Sequence, residues 1–108
     1  MSKRAILFAM LLAALVCPAL AQQRGDPTLG LAYAEVNCAE CHETRAGHYD
    51  SPIFEAPPFE DIANDVGMTE LALYAFFRTP HPNMPNLIVP PADIADLTAY
   101  LLSLRDTP

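Results

Sequence analysis

Cys38-Ala39-Glu40-Cys41-His42 is the stretch from which the rest of the chain is read. Two thiols three positions apart lie on one face of a helical turn, and the histidine that follows joins them without any long-range folding event. Cys-x-x-Cys-His is the attachment pattern of a c-type haem, in which two thiols bond covalently to the porphyrin and the adjacent imidazole ligates its iron. Such a site can be loaded before the rest of the chain folds. A Cys-x-x-Cys pair alone also suits a redox dithiol or half of a zinc site, so the surroundings carry weight.

Upstream, Lys3 and Arg4 precede an apolar run from Ala5 to Leu20 that closes on Ala19-Leu20-Ala21. Basic start, apolar middle and small-x-small end predict a secretory signal peptide over 1–21, cut after Ala21, with export to the periplasm. The run is shorter than the roughly 20 residues a membrane-spanning helix needs, and Pro18 sits near its end, so stable membrane insertion is not expected. Cys17 follows Val16 instead of the small residue of a lipid-attachment box, and it is predicted to leave with the leader.

Of 108 residues, removing those 21 leaves 87, a single domain over 22–108. Chains below about 80 residues usually recruit disulfides, metal or a cofactor to supplement a small core. Of the three cysteines, only Cys38 and Cys41 remain, both inside the motif, so no separate disulfide framework exists. A covalently held haem would supply the missing staple. Without Lys3 and Arg4, four arginines face all 13 carboxylates, a net charge of −9. That balance argues against nucleic acid or anionic lipid as a partner. It favours either a basic docking surface on a redox partner protein or simply a solvated acidic exterior.

The chain then reads as helices. Gln22 to Asp26 is a loose lead-in, and Pro27 suits the first turn of a helix over Thr28 to Asn37. Leu29, Ala32, Tyr33 and Val36 form an apolar stripe, while Gly30, Ala34 and Cys38 recur on another face. A helix-interior glycine costs on the order of 1 kcal/mol, which predicts a close crossing by another element. From Glu43 to Pro58 the helical period gives way to turn residues, predicting a loop round one edge of the cofactor. A ligating histidine usually gives its second ring nitrogen to a fixed acceptor. Pro52 is the expected donor of that carbonyl, and His48 is expected in solvent. Pro58 to Asn64 predicts a short helix with Phe59 and Ile62 buried. Thr69 caps another helix, to Arg78, which is apolar on most of its circumference. The last helix, Ala92 to Leu104, carries a stripe of Ile94, Leu97, Leu101 and Leu104, flanked by Tyr100, expected to pack on the small-residue face of the first.

Thr79-Pro80-His81-Pro82-Asn83-Met84-Pro85-Asn86 is the second informative stretch. Three prolines among residues 80–85 forbid helix and strand, so Met84 is held in a stiff loop outside any periodic face. A thioether is a soft neutral ligand for haem iron and raises its potential relative to a second nitrogen donor. His81, giving bis-histidine ligation, and Met68, beside a helix start, are the competing donors.

Taken together, these residues resemble a small class I cytochrome c of the exported bacterial, monohaem type over essentially the whole mature chain. The likeness rests on Cys38-x-x-Cys41-His42, Asn83-Met84-Pro85, Gly30 ahead of Cys38, and Leu97-x-x-Tyr100-Leu101; Ala56-Pro57-Pro58-Phe59 adds to it. It implies an all-α fold in which the N- and C-terminal helices cross, with short helices and loops wrapped round one covalent haem. It implies His42 and Met84 as axial iron ligands and one haem edge exposed for electron exchange. Two positions depart from the family pattern. Ala34 stands where an aromatic residue is expected, with Tyr33 beside it, and the chain has no tryptophan. The groups that hold the propionates are therefore open, with Arg45 and Arg78 as candidates.

The function expected is one-electron transfer by a monomeric carrier that is not an enzyme, holding heme c through Cys38 and Cys41 and its iron through His42 and Met84. Leu71, Tyr74, Phe77 and Leu87 are expected to enclose the cofactor and disfavour the ferric charge. Two alternatives keep the haem: a haem enzyme or gas- or peroxide-reactive haem protein with a labile sixth ligand, and a cytochrome subunit of a dehydrogenase complex. A third makes Cys38 and Cys41 a thiol–disulfide pair, but the βαβ pattern of thioredoxin-like folds is missing from the sequence.

Overall fold

A computed structural model describes residues 25–84 and 88–106; the expected leader, its expected cleavage point and Leu87 lie outside these residues. Four helices follow one another: α1 (Pro27–Asn37), α2 (Phe59–Asn64), α3 (Glu70–Phe77) and α4 (Pro91–Ser103). Every described helix or strand element is a helix, so the domain is all-α over the described residues. None of these helices is long and apolar enough to cross a membrane.

Asp26 belongs to the fold and not to a loose lead-in. Its carboxylate accepts the Thr28 backbone N–H at 2.8 Å and caps α1, whose first residue is the expected proline. Its own N–H donates to the Asp96 carboxylate at 2.7 Å, tying the start of α1 to α4. At the crossing, a Cβ on Gly30 would collide with the Asp96 carbonyl oxygen and come within 2.7 Å of the Tyr100 Cβ. Gly25 lies equally close to the Ala95 carbonyl. Ala34 is fully buried one turn further on.

The small-residue face of α1 thus packs on α4, as its glycine predicts. The larger apolar stripe does not. Leu29 and Val36 are 57% and 83% exposed, Ala32 is exposed, and only Tyr33 is half-buried. Side-chain size sets the closest approach of two helices, so glycine and alanine admit α4 where leucine and valine would hold it off.

Helix α4 is the centre of the core. Ile94, Leu97, Tyr100 and Leu101 are buried along it, as is Leu104 at its C-cap. Each large aliphatic side chain so buried contributes roughly 1.5–3 kcal/mol. Phe59 and Ala63 from α2, and Leu73 and Phe77 from α3, complete the same cluster. Thr69 caps α3 through its hydroxyl, which accepts the Ala72 N–H at 3.1 Å. Arg78 serves as the α3 C-cap, one residue beyond the helix proper.

Candidate functional site

Helix α1 runs directly into the cysteine motif. The Cys38 N–H reaches the Ala34 carbonyl at 2.8 Å, and the Cys38 carbonyl accepts N–H groups from Cys41 at 3.2 Å and His42 at 2.9 Å. One turn therefore presents both thiols and the imidazole. Both cysteines are unpaired; Cys38 is half-buried and Cys41 exposed. Burial, and secondarily the neighbouring Cys41, pushes the Cys38 thiol up to about 11. It is accordingly a resting thiol, unlike the depressed-pKa nucleophile of a Cys-x-x-Cys oxidoreductase.

His42 is only 7% exposed, with its ring 5.5 Å from that of Phe59. Its Nδ1 lies 2.7 Å from the Pro57 carbonyl oxygen. A carbonyl can only accept, so Nδ1 carries a proton, which in the neutral ring leaves the lone pair on Nε2. The expected acceptor was Pro52, and Pro57 takes its place. The loop needs five further residues to turn back: the Ile53 N–H is already on the Cys41 carbonyl at 3.2 Å, while Pro57-Pro58 meets the ring where the chain enters α2.

Cys41 to Thr44 are each held from outside the turn. Beyond the bonds of Cys41 and His42, the Glu43 N–H donates to Ser51 Oγ at 3.0 Å, and its carbonyl accepts the Phe59 N–H at 2.9 Å. The Tyr100 hydroxyl donates to the Thr44 carbonyl, joining α4 to the segment. Glu60 pins the loop's far end, accepting the Gly47 N–H at 2.6 Å and the Tyr49 hydroxyl at 2.9 Å. Sequence reasoning missed Ser51, Thr44 and Glu60. Tyr100 alone carried a signal, since a tyrosine in a buried leucine stripe needs a partner for its hydroxyl.

The second turn carries the candidate sixth ligands. The Met84 N–H donates to the His81 carbonyl at 3.2 Å, and Met84 is half-buried. The His81 ring stacks on Phe76, centroids 3.9 Å apart and planes 27° from parallel. Its Nε2 is buried with no hydrogen-bond partner among the described residues. Leaving such a nitrogen unpaired costs roughly 1–3 kcal/mol. Met68 instead packs against the core, and His48 is exposed as expected.

Of the expected enclosing residues, Phe77 is buried and Tyr74 half-buried, but Leu71 is 79% exposed. Leu71 sits in the first turn of α3 and is not among that helix's buried residues, which are Leu73 and Phe77. Arg45 is engaged by Glu43, with Nε–Oε1 at 3.1 Å and Nη2–Oε2 at 3.3 Å. These bonds hold the Glu43 carboxyl down at about 2. Arg78 is exposed at the end of α3.

No family model, no curated protein and no solved structure matches the chain. The residues themselves discriminate among the chemistries. Among the described residues no group of three or more His, Cys, Asp or Glu side chains could hold a metal ion, so the second half of a zinc site is not assembled. The donor set does fit a covalent iron porphyrin: two unpaired thiols on one turn, an imidazole with its tautomer fixed, and a thioether on a proline-stiffened turn.

Proposed function

We propose that the chain is an exported class I cytochrome c, a one-electron carrier with a single heme c. The observation that carries this reading is the His42–Pro57 hydrogen bond at 2.7 Å, within a Cys-x-x-Cys-His turn whose thiols are both free. A carbonyl acceptor on Nδ1 is how proteins orient an imidazole and strengthen its other nitrogen as a metal ligand.

Cys38 and Cys41 would hold the porphyrin through thioether bonds, and His42 would give its Nε2 lone pair to the iron. Met84 would supply its sulfur as the other protein ligand, a soft donor that favours the ferrous state. A haem held this way supplies reversible exchange of one electron between ferrous and ferric iron. The clamp on residues 41–44 keeps the imidazole still, so little rearrangement accompanies the change of charge. An iron whose ligands all came from porphyrin, His42 and Met84 would leave no place for a substrate, which suits a carrier instead of an enzyme. The acidic composition selects redox partners with basic docking surfaces and repels anionic ones.

The test is the mass and colour of the processed protein, produced in a host able to attach haem. A mature chain heavier than the polypeptide by one haem, and reversibly reducible, is expected. A colourless product with the bare polypeptide mass overturns the reading and restores the dithiol alternative.

A further inference from the structure

We propose that His81 is a reserve axial donor, placed to take the sixth position on the iron when Met84 gives it up. The inference rests on the functional reading above and deepens it. The hydrogen bond from the Met84 N–H to the His81 carbonyl, 3.2 Å, closes a turn, which brings the two Cα atoms within about 7 Å of one another. Sulfur and imidazole donors thus sit at opposite ends of one short unit. Pro80 and Pro82 flank His81 and limit its backbone, and Phe76 holds the ring by stacking at 3.9 Å.

His81 Nε2 is the telling atom. Buried polar nitrogens almost always have a partner, yet this one is buried with none among the described residues. His42, the buried histidine, spends its Nδ1 on Pro57 and is thereby committed to one role, whereas His81 is half-buried with its Nε2 enclosed. In the exchange, the sulfur–iron bond breaks and an Nε2–iron bond forms. No electron moves, and with the ring proton on Nδ1 no proton moves. Ferric iron, the harder of the two oxidation states, gains most from trading a thioether for an imidazole. Loss of Met84 therefore leaves a closed, nitrogen-ligated site instead of an open one that admits peroxide or carbon monoxide.

The experiment compares the haem-loaded wild-type protein with Met84→Ala and with Met84→Ala/His81→Phe, the second substitution keeping a ring on Phe76 while removing Nε2. Electron paramagnetic resonance of the ferric proteins and carbon monoxide titration of the reduced ones are the readouts. Met84→Ala is expected to be low-spin with a bis-nitrogen signature and no sulfur-to-iron charge-transfer band. The double variant is expected to be high-spin, and added imidazole to return it to low-spin. If His81 fills the site in nine of ten molecules, carbon monoxide binds Met84→Ala about tenfold more weakly than the double variant. A high-spin Met84→Ala protein with the double variant's carbon monoxide affinity overturns the proposal. So does a wild-type protein that lacks the charge-transfer band and shows a bis-nitrogen signature which His81→Ala removes, a result that would make His81 the resident ligand. A wild-type protein without covalent haem overturns the functional reading itself, an outcome visible before any variant is compared.

Discussion

Nδ1 of His42 and the carbonyl oxygen of Pro57 lie 2.7 Å apart across 15 residues of chain. That bond decides the tautomer of the one histidine in the cysteine turn, and it does so with a backbone atom that no side-chain substitution removes. The proline ring fixes φ at Pro57, and its neighbour Pro58 restricts the preceding residue further. The acceptor is as rigid as a peptide chain allows.

Ligation is the first thing to test. Met84→Ala is expected to abolish the sulfur-to-iron charge-transfer band and to lower the midpoint potential on the order of 0.1–0.3 V, a part of the roughly 0.8 V that axial ligands span. His81→Ala keeps the band. Optical spectroscopy and a redox titration check both, and an unaltered Met84→Ala spectrum removes Met84 from the site.

The thiols make a separable prediction. In the proposed cytochrome, Cys38→Ala and Cys41→Ala each leave one covalent link, and the double substitution leaves none. Acidified organic solvent should then extract the pigment from the double variant alone, and that variant should melt well below the wild type because the small core loses its staple. Extraction from the wild type would rule out thioether attachment.

Gly30→Ala places a methyl group against the Asp96 carbonyl and the Tyr100 Cβ, both parts of a packed helix. Overpacking of this kind costs typically 1–3 kcal/mol, and a backbone obstacle favours the upper end. A fall in the urea midpoint with an unchanged slope is the expected result. Wild-type stability in this variant would mean that the two helices do not cross so closely.

Tyr100 links stability to alkaline pH. Burial, then the charges of Glu35, Glu43 and Glu60, raise its hydroxyl above the ordinary 10.0. The folded pKa exceeds the unfolded one, so the contribution is complete below about pH 10 and is lost as pH climbs through the folded value. Tyr100→Phe should abolish that alkaline loss while costing about 1–3 kcal/mol at neutral pH, because the buried Thr44 carbonyl loses its partner. Denaturant midpoints from pH 7 to pH 11 read both effects.

The helices were legible because their signals are local. Pro27 and Thr69 mark helix starts, and the 3.6-residue stripe of α4 buries as its spacing dictates. On α1 the same logic misleads, since hydropathy ranks Leu29 and Val36 above Gly30 while close packing favours the smaller residue. The cysteine turn was legible for the same local reason. Its clamp was not: Ser51, Pro57 and Tyr100 reach residues 42–44 through tertiary contacts that leave no periodic trace. Asp26 could have been read as a cap from its place before Pro27, but its bond to Asp96 could not.

The bond between Tyr100 and Thr44 spans 56 residues, and its consequence is one of timing. A polypeptide emerges from the ribosome amino end first, so the cysteine turn is complete while its α4 anchor is still being made. Until that anchor arrives the thiols sit on a strip of chain not yet tied to the core. Once it arrives, the hydroxyl fastens the segment that follows the thiols to the last helix.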